Sequence, residues 1–426
     1  MKHYRANALP VNIAPNRSVA VLGAAKVAVL GADSPIGLTV VRELGERGVR
    51  VFALGRDRRA LARTSRHTHR FALIERPLAD WLPRFIAENE IDAVLAISEH
   101  HLIELAAIGP TIGSCRLLVP EAYKLALVLD KPRTLGMAAG LGIDVPSSWQ
   151  PLPHEDHAAI AAGLAYPVAV KWADPNAVSA RLGAAGLEFE KVEYANNLAA
   201  LLEILMRYNG IATWPLVQTW CPGHGLGQML HMHQGKATLR FQHQRLREFP
   251  PTGGFSAICE AVPLDRHTAL MELSEALLAA IGWEGPAMVE YRHDPTSGRS
   301  WLMEINGRFW GSIPLAYHCA AHFGWETYAC AMLGEDAAVQ GRYSADAPRL
   351  LRARYLIPDT KGLVMLLRDR KVPVFERIGA ALRFVADFFD PRVRWFVWSS
   401  RDPAPFIADL AGVVRKVWPL GTRGTN

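Results

Sequence analysis

Between residues 26 and 120, short apolar runs alternate with stretches whose apolar residues recur at helical spacing. Residues 26–32 (KVAVLGA), 49–54 (VRVFAL) and 91–97 (IDAVLAI) are nearly continuous in apolar side chains and too short for helices, so they read as buried strands. Residues 36–46 have helical periodicity, and the sequence between 54 and 91 reads as helical. Residues 117–120 predict a last strand. Strands alternating with helices argue for an α/β fold with a doubly wound parallel sheet.

A second α/β region follows. Residues 122–141 have helical periodicity that runs through Asp130 and Lys131. Strands are expected at 166–172 (YPVAVKW), 216–220 (LVQTW), 228–233 and 237–243, and a helix at 266–281. Residues 287–293 and 301–305 are strand-like, and the DPTSG between them is rich in turn formers, which predicts a hairpin. From about residue 337 the chain is mainly helical, basic and aromatic, and no internal repeat is visible. The expected units are a leader (1–25), an N-terminal α/β domain (26–120), a second α/β domain (121–335) and a helical C-terminal region (336–426). In that tail, Ile378, Leu382, Val385 and Phe389 form one apolar stripe. Phe406, Leu410, Val413 and Val417 form another, with Trp395, Trp398 and Trp418 nearby. Packing on the parent chain or in a homodimer is the expected fate of both stripes; peripheral membrane contact is the alternative.

Composition narrows the class. A chain of 426 residues has room for two or three cores, and 50% hydrophobic with 21% charged residues is ordinary for a soluble globular protein, not a disordered or fibrous one. The five cysteines are scattered without a CxxC pair, which fits a reducing compartment. The apolar stretch 19–32 is broken by Lys26, so it suits neither a membrane span nor a signal peptide, and a cytoplasmic location is expected. The net charge is +6, yet residues 341–426 hold 16 Lys and Arg against 8 Asp and Glu, or +8, which leaves −2 for the rest. The basicity belongs to the tail, no nucleic-acid module accompanies it, and no nucleic-acid partner is expected.

The chemistry concentrates in residues 288–312 (MVEYRHDPTSGRSWLMEINGRFWGS). Alternate side chains of a strand share a face, so Glu304 and Asn306 point the same way and Glu290 on the partner strand can sit across from them. Two carboxylates and an amide oxygen make a hard-oxygen site suited to magnesium held jointly with phosphate. Arg308, two residues on, is placed to clamp a phosphate or carboxylate. Lys171 lies in an apolar strand, where an ammonium is costly unless it meets an anion.

This segment resembles the metal-binding end of ATP-grasp enzymes, and the phrase MEIN-x-RFWGS is similar to the carboxylate–amine ligase-like branch. The resemblance implies a pre-ATP-grasp domain followed by a two-lobed ATP-grasp fold, with Glu290, Glu304 and Asn306 carrying magnesium, or manganese, against ATP. It implies that Lys131 and Lys171 bind phosphate, and that LVQTWCPG is the hinge gripping adenine, which makes Gln218, Trp220, Cys221 and His224 nucleotide contacts. Thr219 and His224 stand where the family usually has acidic residues. FQHQRLREFPPTGG resembles the same branch, and Arg245 and Arg247, two apart on one face beside Gly253 and Gly254, join Arg308 as candidate catalytic cations. Gly311 and Ser312 are candidate substrate contacts. The activity implied is ligation of a small-molecule carboxylate to an amine through an acyl phosphate, releasing ADP and phosphate. A bicarbonate-using carboxylating enzyme and a non-catalytic nucleotide-binding or membrane-associated scaffold are the alternatives.

Other signals carry less. Asp33 replaces the second glycine of a dinucleotide fingerprint at 31–37, so this reads as an ordinary strand-to-helix turn. Ser98 and Glu99 follow a strand end and are candidate substrate contacts or a helix cap. His318, Cys319 and His322 lack a third metal ligand at a telling spacing. The glycines beside His224 read as a turn.

Overall fold

The computed structural model describes residues 23–190, 192–251, 254–334 and 351–417. Most of the leader, Gly253, and Trp418 lie outside the described residues, as do the side chains of Val413 and Val417. The first sheet has six strands: β1 (Lys26–Leu30), β2 (Arg50–Gly55), β3 (Thr68–Leu73), β4 (Ala93–Ala96), β5 (Thr111–Ile112) and β6 (Cys115–Leu118). Their order is β3-β2-β1-β4-β6-β5, parallel throughout except for the β5–β6 pair. β1 and β4 are buried along nearly their whole length, which is why they appear as unbroken apolar runs. β3 was not expected. Its burial pattern is mostly partial, and THRFAL carries too little apolar signal to separate it from its helical neighbours.

The second sheet is small: β7 (Ser148–Trp149), β8 (Val168–Lys171), β9 (Glu193–Ala195) and β10 (Leu216–Thr219), in the order β7-β10-β8-β9 and antiparallel. The third has seven strands in the order β15-β14-β11-β12-β13-β16-β17. It comprises β11 (His224–His233), β12 (Lys236–Phe249), β13 (Phe255–Ala261), β14 (Gly285–His293), β15 (Ser300–Asn306), β16 (Arg352–Arg354) and β17 (Val393–Trp395). The expected hairpin is β14–β15, with the Asp294 carboxylate accepting from Thr296 and Ser297 in its turn. The glycines after His224 are not in a turn; they open β11.

The stretch 122–141 is two helices, Ala122–Leu129 and Lys131–Gly140, broken at Asp130. Asp130 has extended backbone, its side chain accepts from Arg133 N (3.0 Å), and proline follows Lys131 at the helix start. An acidic N-cap and an early proline are ordinary helix-start signals, and they outweigh the continuous apolar periodicity.

The tail is more than helical, because β16 and β17 extend the third sheet past β13. It is also bolted to the first sheet: Arg42 meets Asp402 at 3.0 Å, with both side chains almost wholly buried, and Ser65 Oγ donates to the same carboxylate (2.7 Å). In the second stripe Phe406 is half-buried and packs edge-on against Trp398, while Leu410 is 39% exposed. Ile378, Leu382, Val385 and Phe389, by contrast, are 55%, 67%, 54% and 81% exposed, so the expectation that this stripe covers the parent chain is corrected. The helix Val374–Ala386 follows Leu356–Arg368, and Ile378, Leu382 and Val385 line an open groove with Arg377. No helix among the described residues is long and apolar enough to cross a membrane.

Candidate active site

β14 and β15 pair so that Glu290 lies opposite Glu304 and Met288 opposite Asn306. The register therefore brings the two carboxylates side by side on one face, and Asn306, two residues on, joins them. Asn306 Nδ2 donates to Glu304 Oε1 (3.2 Å), which leaves its carbonyl oxygen as a donor for a metal ion. Lys131, first residue of its helix, meets Glu304 Oε2 at 3.1 Å. Arg245 on β12 meets Glu290 Oε1 at 2.6 Å, and its second terminal nitrogen reaches Glu248 (3.3 Å) and the Gly254 carbonyl (2.8 Å). A Cβ at Gly225 would sit 2.7 Å from Arg245 Cδ, so the arginine needs glycine at that position to lie flat on the sheet.

Lys171 sits at the end of β8, opposite Leu216 on β10. Among the described residues no ion pair forms to it. Burial, and then Lys131, pull its ammonium from 10.5 down to about 8, while Glu304 and Glu290 work the other way. Burial of Glu304 favours the neutral acid, but Lys131 and Lys171 together outweigh it and hold the carboxyl well below its usual range. For Arg245, too, burial is opposed and outweighed, here by Glu290 and Glu248, so it keeps its charge. Two lysines bear on Glu304 while Arg245 takes both Glu290 and Glu248, so Lys171 is left without a direct ion pair among the described residues.

The hinge strand β10 places Gln218 in the interior. Its Nε2 donates to Ser148 Oγ (2.7 Å), and its Oε1 is buried with no partner. Cys221 is buried, whereas Trp220 is 42% exposed. Trp220, His224, Tyr194, Arg245 and Arg292 line a cavity of about 750 Å³. This cavity opens beside the carboxylate–lysine cluster, with Arg245 common to both, and not directly over Glu304. Burial lowers the pKa of His224, assisted by His293 and Arg292, so the imidazole is neutral at ordinary pH.

Other candidates stand apart from this cluster. Arg245 and Arg247 both line the cavity of about 750 Å³, but only Arg245 reaches the carboxylates of the hairpin. The β12–β13 pairing slips between them, and a bulge turns Arg247 toward the tail, where it binds Asp359 (2.8 Å) and Asp387 (2.6 Å). Arg308 lies past the end of β15, donates to the Phe309 carbonyl (3.1 Å) and approaches Glu99 (3.8 Å), so it faces the first sheet. Ser98 caps the helix that starts at Glu99, its Oγ accepting from His101 N (3.4 Å). Ser312 is buried against His243 Nε2 (2.7 Å), and Gly311 is exposed. His318 is spent on the Trp395 carbonyl (3.0 Å). Sequence reasoning missed Tyr194, Asn196 and Arg292 in the cavity wall, which come from short or edge segments with no motif of their own.

This arrangement supplies opposed carboxylates, an amide oxygen, two clustered lysines and an orphaned buried amide carbonyl on the second and third sheets and the helix that begins at Lys131. Solved structures share the fold. The L-amino acid ligase from Bacillus licheniformis superposes with a TM-score of 0.54 at 15% identity, covering 74% of each chain. The biotin carboxylase domain of Hydrogenobacter thermophilus 2-oxoglutarate carboxylase, in complex with MgADP and bicarbonate, gives 0.56 at 17%, over 72% of this chain and 69% of that one. The chain has the ATP-grasp fold. N5-carboxyaminoimidazole synthetase from Staphylococcus aureus, complexed with ADP, gives 0.54 at 14%, over 75% and 78%. No family model matches the sequence, and no curated protein does. In ATP-grasp terms the first sheet is the pre-ATP-grasp domain, and the second and third sheets are the two lobes.

The donor set fits the groups that the fold implies. Glu290, Glu304 and the Asn306 carbonyl are hard oxygens of the kind magnesium takes. Lys171, short of an anion, fits a polyphosphate, and the orphaned Gln218 Oε1 fits a nucleotide amino group.

Proposed function

We propose that the protein is an ATP-dependent ligase that activates a small carboxylate as an acyl phosphate for attack by an amine. The observation that carries this reading is the meeting of Glu290, Glu304 and Asn306 with Lys131 and Lys171, with Lys171 held at a pKa of about 8 and unpaired among the described residues. Magnesium or manganese held by Glu290, Glu304 and Asn306 would neutralise phosphate charge and fix the phosphates' orientation. Lys131 and Lys171 would balance the remaining charge, and Gln218, Trp220, Cys221 and His224 would flank the base. A substrate carboxylate oxygen bonds to the γ-phosphorus as the bond to ADP breaks. The amine nitrogen then bonds to the acyl carbon, phosphate leaves, and the amine proton passes to it or to water. Arg245, at the border of cluster and cavity, suits the acyl oxygen, and Arg308 with Glu99 suits a substrate end reaching the first sheet. Arg247 lines the same cavity and is held by Asp359 and Asp387 of the tail, so it would bear on the substrate from that side. The working units are 26–120, 121–335 and a tail, 336–426, that completes the larger lobe.

The test is ADP release on mixing the protein with ATP, magnesium and pooled carboxylates and amines, with a parallel arm of bicarbonate. Release that needs both a carboxylate and an amine supports the ligase. Release with bicarbonate and an amine alone supports the carboxylating alternative, for which carboxylase-type neighbours speak. No release in either arm leaves the scaffold reading.

A further inference from the structure

Away from the ATP cleft, three side chains of different chemistry meet in the core. His231 lies on β11, and Glu326 and Cys330 lie one turn apart on the helix Phe323–Met332. One ligand atom from each lies within 4.8 Å of the others, and all three residues are buried. The Cys330 sulfur is 3.7 Å from Glu326 Oε1. Metal bonds of about 2.3 Å to sulfur and about 2.0 Å to oxygen, at a tetrahedral angle, would set those two atoms roughly 3.5 Å apart. The observed spacing is thus close to that of two ligands on one ion.

The histidine is prepared for ligation. His231 Nδ1 lies 2.8 Å from Thr238 Oγ1, whose hydroxyl also reaches the His231 carbonyl (3.3 Å). With that hydroxyl turned to the carbonyl, the oxygen accepts from Nδ1–H and Nε2 keeps its lone pair, the outer-shell pattern that orients metal-bound imidazoles. Among the described residues no lysine or arginine pairs with Glu326, although it is only 2% exposed, and a buried carboxylate is costly without a countercharge. A divalent ion would supply it.

We propose that His231, Glu326 and Cys330 form a second metal site, distinct from the magnesium site, that takes a zinc-class divalent ion. Nitrogen, oxygen and thiolate ligands select such an ion over magnesium. Three protein ligands leave a fourth position, and His231 and Cys330 both line a cavity of about 320 Å³ shared with Arg116 and Arg308. Water or an anionic oxygen would occupy that position. The site joins the larger lobe to the helix Phe323–Met332, which also meets the helix Pro35–Gly45 of the first domain, since Trp325 N donates to Glu43 (3.0 Å).

The full-length protein, dialysed against zinc and then passed through a desalting column, should retain stoichiometric zinc by elemental analysis. Cobalt(II) loaded after chelation should give a thiolate-to-cobalt charge-transfer band together with strong visible bands of tetrahedral type. Both should vanish in Cys330→Ser, while zinc should raise the melting temperature of the wild type. Folded wild-type protein that retains no zinc and shows no cobalt–thiolate band would overturn the proposal. So would a band that persists unchanged in folded Cys330→Ser. Because the first outcome is read on the wild type alone, a variant that fails to fold does not shield the idea. Neither readout needs turnover, so failure here leaves the ligase reading standing.

Discussion

Two clusters of charge flank β12, and they are built on opposite plans. Toward the tail, Arg247 and Arg354 share Asp359 and Asp387, and the Arg354 guanidinium also lies 4.0 Å from the Phe384 ring centre. Arg354 is completely buried, and each cation there has a carboxylate of its own within reach. In the cleft, Lys131 and Lys171 crowd one carboxylate, and Arg245 occupies the other. In the tail cluster every carboxylate is engaged by an arginine, and the two Arg354 nitrogens without a hydrogen-bond partner rest against the Phe384 and Phe388 rings. On the function proposed above, the cleft cluster would be completed by a ligand: phosphates would take over the cations, and a metal ion would take over Glu290 and Glu304. Two arginines two residues apart in QRLRE fall into different clusters because one bulge separates them.

This contrast predicts that cleft substitutions act first on activity, and that substitutions in the tail clusters act first on stability. Glu304→Gln keeps the shape of the side chain but loses a charged metal ligand. ADP release should fall by about a thousandfold or more, an effect in the range of lost electrostatic stabilisation of a transferring group, while the fold survives with a lower melting temperature, because Lys131 and Lys171 lose their carboxylate. Near-wild-type release from this variant would remove Glu304 from the chemistry. Asp402→Asn should do the opposite. Leaving Arg42 buried without its partner costs about 3–5 kcal/mol, read as a lower urea midpoint. A midpoint equal to the wild type's would mean the tail is not held by this pair. Arg247→Gln, at a half-buried site, should cost about 1–2 kcal/mol for its lost charge-assisted hydrogen bonds and leave KM for ATP within about twofold. A large rise in KM would return Arg247 to the nucleotide site.

A smaller effect concerns protons. A lysine whose folded pKa lies below its unfolded value binds fewer protons when folded, so its burden on stability is full below about pH 8 and is relieved as pH rises toward 10.5. Phosphate beside Lys171 should restore its pKa, so Mg-ATP binding near pH 8 to 9 should take up a fraction of a proton. Calorimetry in buffers of different ionisation heat measures that uptake, and it should be absent in Lys171→Met. Equal uptake in both proteins would point to another group.

The sheet framework and the β14–β15 hairpin were legible in the sequence because they depend on local period: uniform apolar runs for β1 and β4, alternation for β14 and β15. Features set by distant pairing were not. The tail strands β16 and β17 are three residues each and exist only because β13 offers an edge. The bulge that separates Arg245 from Arg247 has no sequence mark. Arg308 was read as a continuation of β15, but the strand ends at Asn306 and the chain turns. His231 and Cys330 are too far apart along the chain for any motif to join them. The break at Asp130 was readable, since an acidic cap followed by Lys-Pro is a helix start, but continuous apolar periodicity masked it.

The most direct test of the unfinished cleft is the thermal shift with Mg-ATP, measured on the wild type and on Lys171→Met side by side. A ligand that binds only the folded state stabilises it by about 2.7 kcal/mol at a hundred times its dissociation constant. The wild type should therefore melt several degrees higher with Mg-ATP, and Lys171→Met, which starts no less stable because it has lost a buried ammonium, should gain little. Equal shifts in the two proteins, or none in the wild type, would contradict a cleft completed by nucleotide phosphate.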